Sequence, residues 1–255
     1  MKGYKELAQL NVFSPVDVEK LTGNKKTAYS LLGRLMKKDM VKKIRQNMYS
    51  CVDLTTGQTV ANRYQIASAV NTSAYVSHHT AFEFYGLANQ VFFEVYVSSE
   101  SKFRDFEFEG VRYKYVASKQ KNGVVEPSNT EGVRVTDPER TVIDNIKDYE
   151  KIGGLEELLS CLERVNYLNE EKLMQYLDGY GLQVLYQKTG LILERFMREL
   201  QLSKQFFDYC KKKIGKSTRY LVKEPSINYH YNSDWKLVIP EGLLEMTKQG
   251  GDEFV

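Results

Sequence analysis

Four apolar residues near the start of the chain recur with the spacing of one helix face: Ala28, Leu31, Leu32 and Leu35. Positions i, i+3, i+4 and i+7 share one side of an α-helix, so a helix that buries this stripe is predicted over residues 25–39. Before it, Ser14-Pro15-Val16-Asp17 predicts the start of another helix, which Gly23 ends. Two helices joined by a tight turn are therefore expected.

The face opposite the stripe is polar and basic. At about 100° per residue, it collects Lys26, Thr27, Ser30, Gly33, Arg34 and Lys37. The next run, VKKIRQNMYSCV, resembles two short strands around Arg45-Gln46-Asn47. Together with a short helical pattern before residue 11, this order predicts an α+β chain that begins with a winged helix-turn-helix domain over residues 1–55.

Charge is distributed unevenly between this segment and the rest of the chain. Residues 1–52 contain 11 Lys/Arg against 4 Asp/Glu, a balance of +7, whereas the remainder contains 25 against 29, a balance of −4. The overall value of +3 conceals this asymmetry. A basic segment joined to a mildly acidic body is typical of a nucleic-acid-binding module fused to a second function.

Double-stranded DNA is the predicted partner of the basic segment, because a helix fits the major groove and Lys or Arg reach base edges and phosphates. Five residues are assigned to the end of the helix nearest the bases: Asn24, Lys25, Lys26, Thr27 and Ser30. Arg34 and Lys37 are placed near phosphates. The hairpin residues Lys42, Lys43, Arg45 and Gln46 are placed along the backbone, where they supply the salt-dependent part of affinity. The alternative is a domain used only for protein contacts.

The body, residues 56–255, reads as a mixed α+β domain with a helix-rich second half. Helices are predicted at 62–70, 79–87 and 136–146, with three or four more between 154 and 213. Strands are predicted at 74–77, 91–98 and 133–135, a hairpin at 106–115 with its turn at Gly110, and short extended runs at 219–222, 227–231 and 235–239.

Candidate catalytic motifs are incomplete. Gly215-Lys216-Ser217 resembles the end of a phosphate-binding loop, but Cys210 occupies the position of its first glycine. His78-His79 has no metal-ligand spacing around it, and a capping or packing role is favoured. Glu107 and Glu109, on one side of a strand near Lys114, do not form a nuclease pattern. The sequence therefore predicts no enzyme, no metal and no cofactor, with a nucleic-acid-processing enzyme as the minor alternative.

The three cysteines, Cys51, Cys161 and Cys210, are scattered and form no CxxC pair, which favours reduced thiols in a cytoplasmic protein. The N-terminal residues lack the apolar run of a secretory signal. The densest apolar stretch, residues 182–200, is interrupted by charged side chains and is unsuited to spanning a membrane. No membrane partner is expected.

Two stretches of the body carry a family resemblance: YVSHHTAFEFYGL at residues 75–87 and VTDPERTVID at residues 135–144. Behind a winged helix, their order and spacing resemble the AbiEi family, over residues 5–240. Ser77 and Thr136 are expected to cap helices, and Arg140 and Asp144, four apart, to pair. His79 departs from the family pattern, which has one histidine after the serine.

The resemblance implies an antitoxin of a type IV (AbiE-like) toxin–antitoxin system that defends bacteria by abortive phage infection. Such a protein binds inverted repeats in its own promoter as an autorepressor, and neutralises a nucleotidyltransferase toxin without a stable complex. The alternative interpretation is a one-component winged-helix regulator whose C-terminal domain senses a small ligand.

Overall fold

A computed structural model describes residues 3–222 and 228–242. Over these residues the fold is mixed α+β, so the predicted class is confirmed. The chain forms two compact units. Of the described residues, the first unit contains 3–76, 92–119 and 125–135, and the second contains 77–91, 120–124, 136–222 and 228–242. A domain boundary near residue 55 stays a prediction.

The first unit begins with six short elements: α1 (Tyr4–Ala8), β1 (Val12–Phe13), α2 (Pro15–Thr22), α3 (Lys25–Met36), β2 (Val41–Arg45) and β3 (Met48–Cys51). β3 lies between β1 and β2 and is antiparallel to both. As predicted, Ser14 caps the start of α2 and Gly23 ends the helix; Asp17 completes a capping box with Ser14. The apolar stripe of α3 is buried, with Leu35 fully covered.

Helix α3 ends three residues before the predicted end. Asp39 adopts a positive φ of 52°, and the Met40 N–H donates to the Leu35 carbonyl at 3.0 Å. A residue in the left-handed region with such a backward hydrogen bond closes a helix, because it satisfies carbonyl groups that the next turn would otherwise use.

The remainder of the first unit holds α4 (Arg63–Ser68) and most of a six-stranded mixed sheet. Its strands are β4 (Tyr75–Val76), β5 (Glu94–Ser99), β6 (Phe106–Phe108), β7 (Val111–Ala117), β8 (Val124–Val125) and β9 (Val135–Thr136), in the order β6-β7-β5-β4-β9-β8. The predicted hairpin is confirmed, with Glu109 and Gly110 as a two-residue turn of positive φ. Glu109 therefore lies in the turn and does not share a strand face with Glu107.

The second unit is mainly helical: α5 (His79–Phe84), α6 (Pro138–Lys147), a 3₁₀ turn (Tyr149–Ile152), α7 (Leu155–Leu162), α8 (Glu170–Tyr180), α9 (Gln183–Glu194) and α10 (Lys204–Lys213). Four helices thus occupy residues 154–213, at the upper end of the predicted number. A small sheet follows, β10 (Arg219–Tyr220), β11 (Tyr229–Asn232) and β12 (Leu237–Pro240), in the order β10-β12-β11. Ile227, in a predicted extended run, lies outside the described residues.

Trp235 anchors this sheet to the helical core. Its indole is fully buried, and its Nε1–H donates to Glu194 at 2.7 Å. Gly190 of α9 faces the ring, and a Cβ atom added there would lie 1.9 Å from the indole. The close approach of the helix to the ring therefore depends on the absence of a side chain at residue 190.

Two predicted helix caps are wrong. Asp137, not Thr136, caps α6 by accepting the Arg140 N–H at 2.9 Å, because the helix begins at Pro138. The Thr136 hydroxyl instead pairs with the Thr141 hydroxyl. Ser77 does not cap α5 either, since His78 occupies the N-cap position, with a positive φ of 55° and no capping hydrogen bond from its side chain.

Candidate nucleic-acid interface

The polar face of α3 is exposed along its whole length. It comprises Lys25, Lys26, Thr27, Ser30, Arg34 and Lys37, with Asn24 just before the helix. Among the described residues, none of the four Lys or Arg side chains on this face forms an ion pair. The positive end of the helix dipole lies beside Lys25 and Lys26 and adds to their potential. This face can therefore accept an anionic partner without first breaking internal contacts.

Asn24 has a structural task as well. Its Oδ1 accepts the Thr27 N–H at 3.1 Å and so caps the helix. The capping bond occupies its acceptor oxygen and leaves its amide N–H groups to meet a base edge or a phosphate. Asn24 therefore also sets where α3 begins, and with it the position of the polar side chains that follow.

Two further residues on this face, Tyr29 and Gly33, are not predicted as DNA contacts from the sequence. Tyr29 is 52% exposed although it is a large aromatic residue. Gly33 lies in the helix interior, where a Cβ atom would meet nothing within 4 Å. A glycine at such a place destabilises a helix by about 1 kcal/mol relative to alanine, and no neighbouring group in the fold requires it. Solvent exposure of a tyrosine is a tertiary property, so only the structure could identify it.

The hairpin residues divide into two groups. Lys43 and Gln46 are exposed. Lys42, by contrast, lies 2.5 Å from the Oε1 atom of Glu109, whose other oxygen accepts the Thr59 hydroxyl at 3.0 Å. The predicted phosphate contact at Lys42 is therefore engaged by a carboxylate of the same unit.

Arg45 is also held inside the first unit. Its guanidinium lies over the rings of Phe106 and Phe103, 5.0 and 5.7 Å from their centroids. Its Nη1 atom is buried without a hydrogen-bond partner among the described residues. This cation–π contact packs the β2–β3 hairpin against Phe103 and Phe106. Arg45 therefore helps to position the hairpin, and its positive charge is less available to a phosphate than that of Lys43.

His78 of the first body motif takes part in a buried chain of hydrogen bonds. Ser77 Oγ lies 2.8 Å from His78 Nδ1, and His78 Nε2 lies 3.2 Å from Asp148 Oδ2. Serine, histidine and aspartate in this order resemble a catalytic triad. Ser77 is fully buried, however, so its hydroxyl is closed to a substrate in this conformation.

The second body motif is likewise buried. Arg140 donates to Asp144 at 2.7 Å, to the Asn122 carbonyl at 2.7 Å and to the Tyr180 hydroxyl at 2.9 Å. Tyr180 in turn donates to Asp144. The predicted pairing of Arg140 with Asp144 is therefore confirmed, and both side chains are almost fully covered.

The remaining candidate motif follows a helix. Gly215-Lys216-Ser217 comes after α10 and is exposed, and the Gly215 carbonyl accepts the Lys236 ammonium at 2.8 Å. A phosphate-binding loop connects a strand to a helix, so this segment has the wrong context. In the described part of the chain, no helix is both long and apolar enough to cross a membrane.

Comparison with known proteins supports the architecture. No family model and no curated protein matches the sequence. Among solved structures, the fold is similar to the crystal structure of the RV2827C protein from Mycobacterium tuberculosis, with a TM-score of 0.67. The two share 13% sequence identity, and the match covers 96% of this chain and 92% of that chain. At this identity, the similarity shows the fold alone.

Proposed function

We propose that this protein binds double-stranded DNA through an N-terminal winged helix-turn-helix, with α3 as the recognition helix and the β2–β3 hairpin as the wing. The observation that carries the proposal is the exposed face of α3, where seven polar or basic residues within the helix and at its two caps are free of ion pairs among the described residues. The order α1-β1-α2-α3-β2-β3 and the tight α2–α3 connection through Gly23 and Asn24 support it.

The contacts of the helix and the hairpin suggest different roles. In this proposal the N-terminal half of α3, with Lys25, Lys26, Thr27 and Ser30, faces the base edges, while Arg34 and Lys37 meet phosphates. Lys43 and Gln46 extend the contact from the hairpin. Lys42 would contact a phosphate once its ion pair with Glu109 breaks. Arg45 positions the hairpin by stacking on Phe103 and Phe106.

We further propose that the protein acts as an autorepressing antitoxin of an AbiE-like system. Support comes from the resemblance of residues 75–87 and 135–144 to the AbiEi family, in the same order behind the basic segment. His78, Arg140 and Asp144 of these motifs are buried in hydrogen-bonded chains. The motifs therefore supply the framework of the body, and toxin neutralisation is assigned to other, exposed body residues.

The DNA proposal is tested with the upstream promoter of its own gene. A triple variant should abolish specific binding: Lys26→Gln, Arg34→Gln and Lys37→Gln combined. It should also reduce the slope of log affinity against log salt concentration, since each lost phosphate contact removes about 0.9 from that slope. The control is a second triple variant that removes the same charge from exposed residues of the second unit: Lys204→Gln, Lys212→Gln and Lys216→Gln. It should leave promoter binding intact. Equal loss in both triple variants would show only nonspecific attraction.

The antitoxin proposal needs a separate test. Co-expression with an adjacent nucleotidyltransferase gene should relieve its growth defect, and the triple α3 variant should still relieve it while losing promoter binding. Failure of the native chain to restore growth would refute the antitoxin role and leave the DNA proposal standing.

A ligand-responsive regulator is the second candidate, favoured by one pocket in the first unit. It has a volume of about 250 Å³ and is lined by Arg45, Gln46 and Asn47 of the hairpin, by Ser14 and Asp17 of α2, and by Ala69 and Val70. A small molecule there would touch the wing directly. Ligand-dependent release of promoter DNA, lost on enlarging Ala69, would favour this alternative.

A further inference from the structure

Three metal-binding residue types meet in the core of the second unit. His79 is the first residue of α5, and Glu157 and Cys161 lie one turn apart on α7. One ligand atom from each lies within 4.8 Å of the others, and all three residues are buried. His79 Nε2 is 3.1 Å and Cys161 Sγ is 3.5 Å from Glu157 Oε1.

The surroundings of His79 match those of a metal-bound histidine. Its Nδ1 lies 3.1 Å from Glu83 Oε1, four residues along the same helix. When the ring proton is on Nδ1, beside this carboxylate, the lone pair of Nε2 faces Glu157 and Cys161. His79 Nε2 and Glu157 Oε1 lie 3.1 Å apart, a separation that either a proton on Nε2 or a cation bound by both atoms can bridge.

The contacts of Glu157 provide an independent indication of a bound cation. Its Oε1 also accepts the backbone N–H groups of Asn89 and Gln90, each at 3.1 Å. Its Oε2 has no hydrogen-bond partner among the described residues, although the side chain is only 3% exposed. A buried carboxylate oxygen without a partner is strongly destabilising unless a positive charge compensates it.

We propose that His79, Glu157 and Cys161 bind one structural zinc ion. Nitrogen, oxygen and sulfur are the donor atoms that zinc takes in proteins. Tetrahedral bonds of about 2.0 Å to N and O and about 2.3 Å to S place neighbouring donors about 3.3–3.5 Å apart. The separations of 3.1 and 3.5 Å from Glu157 Oε1 to His79 Nε2 and to Cys161 Sγ fit within a few tenths of an ångström. The His79 and Cys161 donor atoms lie within 4.8 Å of each other. Oε2 of Glu157 or a water completes the coordination.

Binding replaces the Cys161 thiol proton, which leaves to solvent, by a sulfur–zinc bond, and no oxidation or reduction is involved. The ion would join α5 directly to α7. Through Glu157 it would also fix the backbone at Asn89 and Gln90. The role is therefore to stabilise the body, independently of whether the basic segment binds DNA.

The sequence predicts no metal site because its candidate ligands are not closely spaced. Glu157 and Cys161 have the spacing of one helical turn, but His79 precedes Glu157 by 78 residues. The topology of α5 and α7 alone brings the three together.

The test uses the full chain expressed in zinc-supplemented medium and dialysed without chelator. Elemental analysis should find about one zinc per chain, and zinc should raise the midpoint of thermal unfolding. Cys161→Ser and His79→Gln should each lose the ion. Cys210→Ser, a change at an equally buried cysteine outside the cluster, should retain it. Absence of zinc from the native chain, or its retention in Cys161→Ser, would overturn the proposal.

A second measurement covers variants that fail to fold. Cobalt(II) in place of zinc in the native chain should give a sulfur-to-cobalt charge-transfer band and the intense visible bands of tetrahedral coordination. A cobalt spectrum without the sulfur band would show that Cys161 is not a ligand and would equally refute the site.

Discussion

The ammonium group of Lys42 lies 2.5 Å from the Oε1 atom of Glu109, which ties the β2–β3 hairpin to the turn between β6 and β7. Both side chains are 40% exposed, and an ion pair in such a position contributes about 0–1 kcal/mol. A phosphate can therefore displace the carboxylate with little loss of stability. In the proposed complex, Glu109 would therefore compete with DNA for Lys42.

Glu109→Gln is expected to tighten promoter binding about two- to fivefold, which corresponds to the strength of an exposed ion pair. Fluorescence anisotropy over a salt series measures the effect. Glutamine keeps an acceptor for Thr59. Glu107→Gln removes the same charge from β6 and should change affinity less. If Glu107→Gln and Glu109→Gln tightened binding equally, the acidic side chains of the β6–β7 hairpin would repel DNA in general, without a specific role for the Lys42–Glu109 pair.

Gly33→Ala should raise the free energy of unfolding by about 0.5–1 kcal/mol, because the added methyl group meets open space and alanine favours helix. Urea denaturation measures it. Gly33→Gln, which is also a good helix former, should weaken promoter binding, since its side chain stands between Ser30 and Lys37 on the proposed contact face. Unchanged affinity in that variant would place the DNA elsewhere.

Gly190→Ala should have the opposite effect on stability. The new Cβ would lie 1.9 Å from the Trp235 indole, so the ring or α9 must move, and overpacking of this kind costs about 1–3 kcal/mol. The same denaturation experiment compares it directly with Gly33→Ala. A more stable Gly190→Ala protein would contradict the packing described here.

Arg140→Met should destabilise the second unit by about 3–5 kcal/mol, because Asp144 would remain buried without its cation. Adding Asp144→Asn removes the unpaired charge and should recover part of the loss. Thermal unfolding of the single and double variants at pH 7 gives the comparison. A double variant less stable than Arg140→Met would show that the charge of Asp144 is not the cause.

Asp148 should make stability depend on pH. Burial alone would raise the pKa of its carboxyl, but hydrogen bonds with His78 and Lys147 and the charge of Lys147 hold the pKa well below its ordinary value. The ionised form is therefore favoured by folding. Its stabilising contribution is full above the unfolded pKa of about 3.9 and is lost as the pH falls below it.

Asp148→Asn is accordingly expected to lower stability at pH 7 by roughly 1–3 kcal/mol and to flatten the loss of stability below about pH 4. Denaturation at a series of pH values measures both effects. Asp208→Asn, at an exposed carboxylate of α10, serves as the control and should leave the acid limb unchanged. An unaltered acid limb in Asp148→Asn would contradict the assignment.

Much of the local structure could be predicted because its causes lie within a few residues. The helix start at Ser14, the buried stripe of α3 and the turn at Gly110 depend on neighbouring side chains and backbone preferences. Where two adjacent residues can take the same role, the local sequence does not decide between them. Asp137 rather than Thr136 caps α6, since both residue types are good helix caps and they are adjacent in the sequence.

The sequence by itself determined the basic helix face, because helical periodicity and charge are both local. Only the tertiary structure decided which of the predicted contacts are available. Glu109 lies 67 residues from Lys42, Phe103 and Phe106 are about as far from Arg45, and Glu157 lies 78 residues from His79. Such pairs form when separate elements pack together, and packing depends on the shape and burial of the whole unit, which no short window of sequence contains.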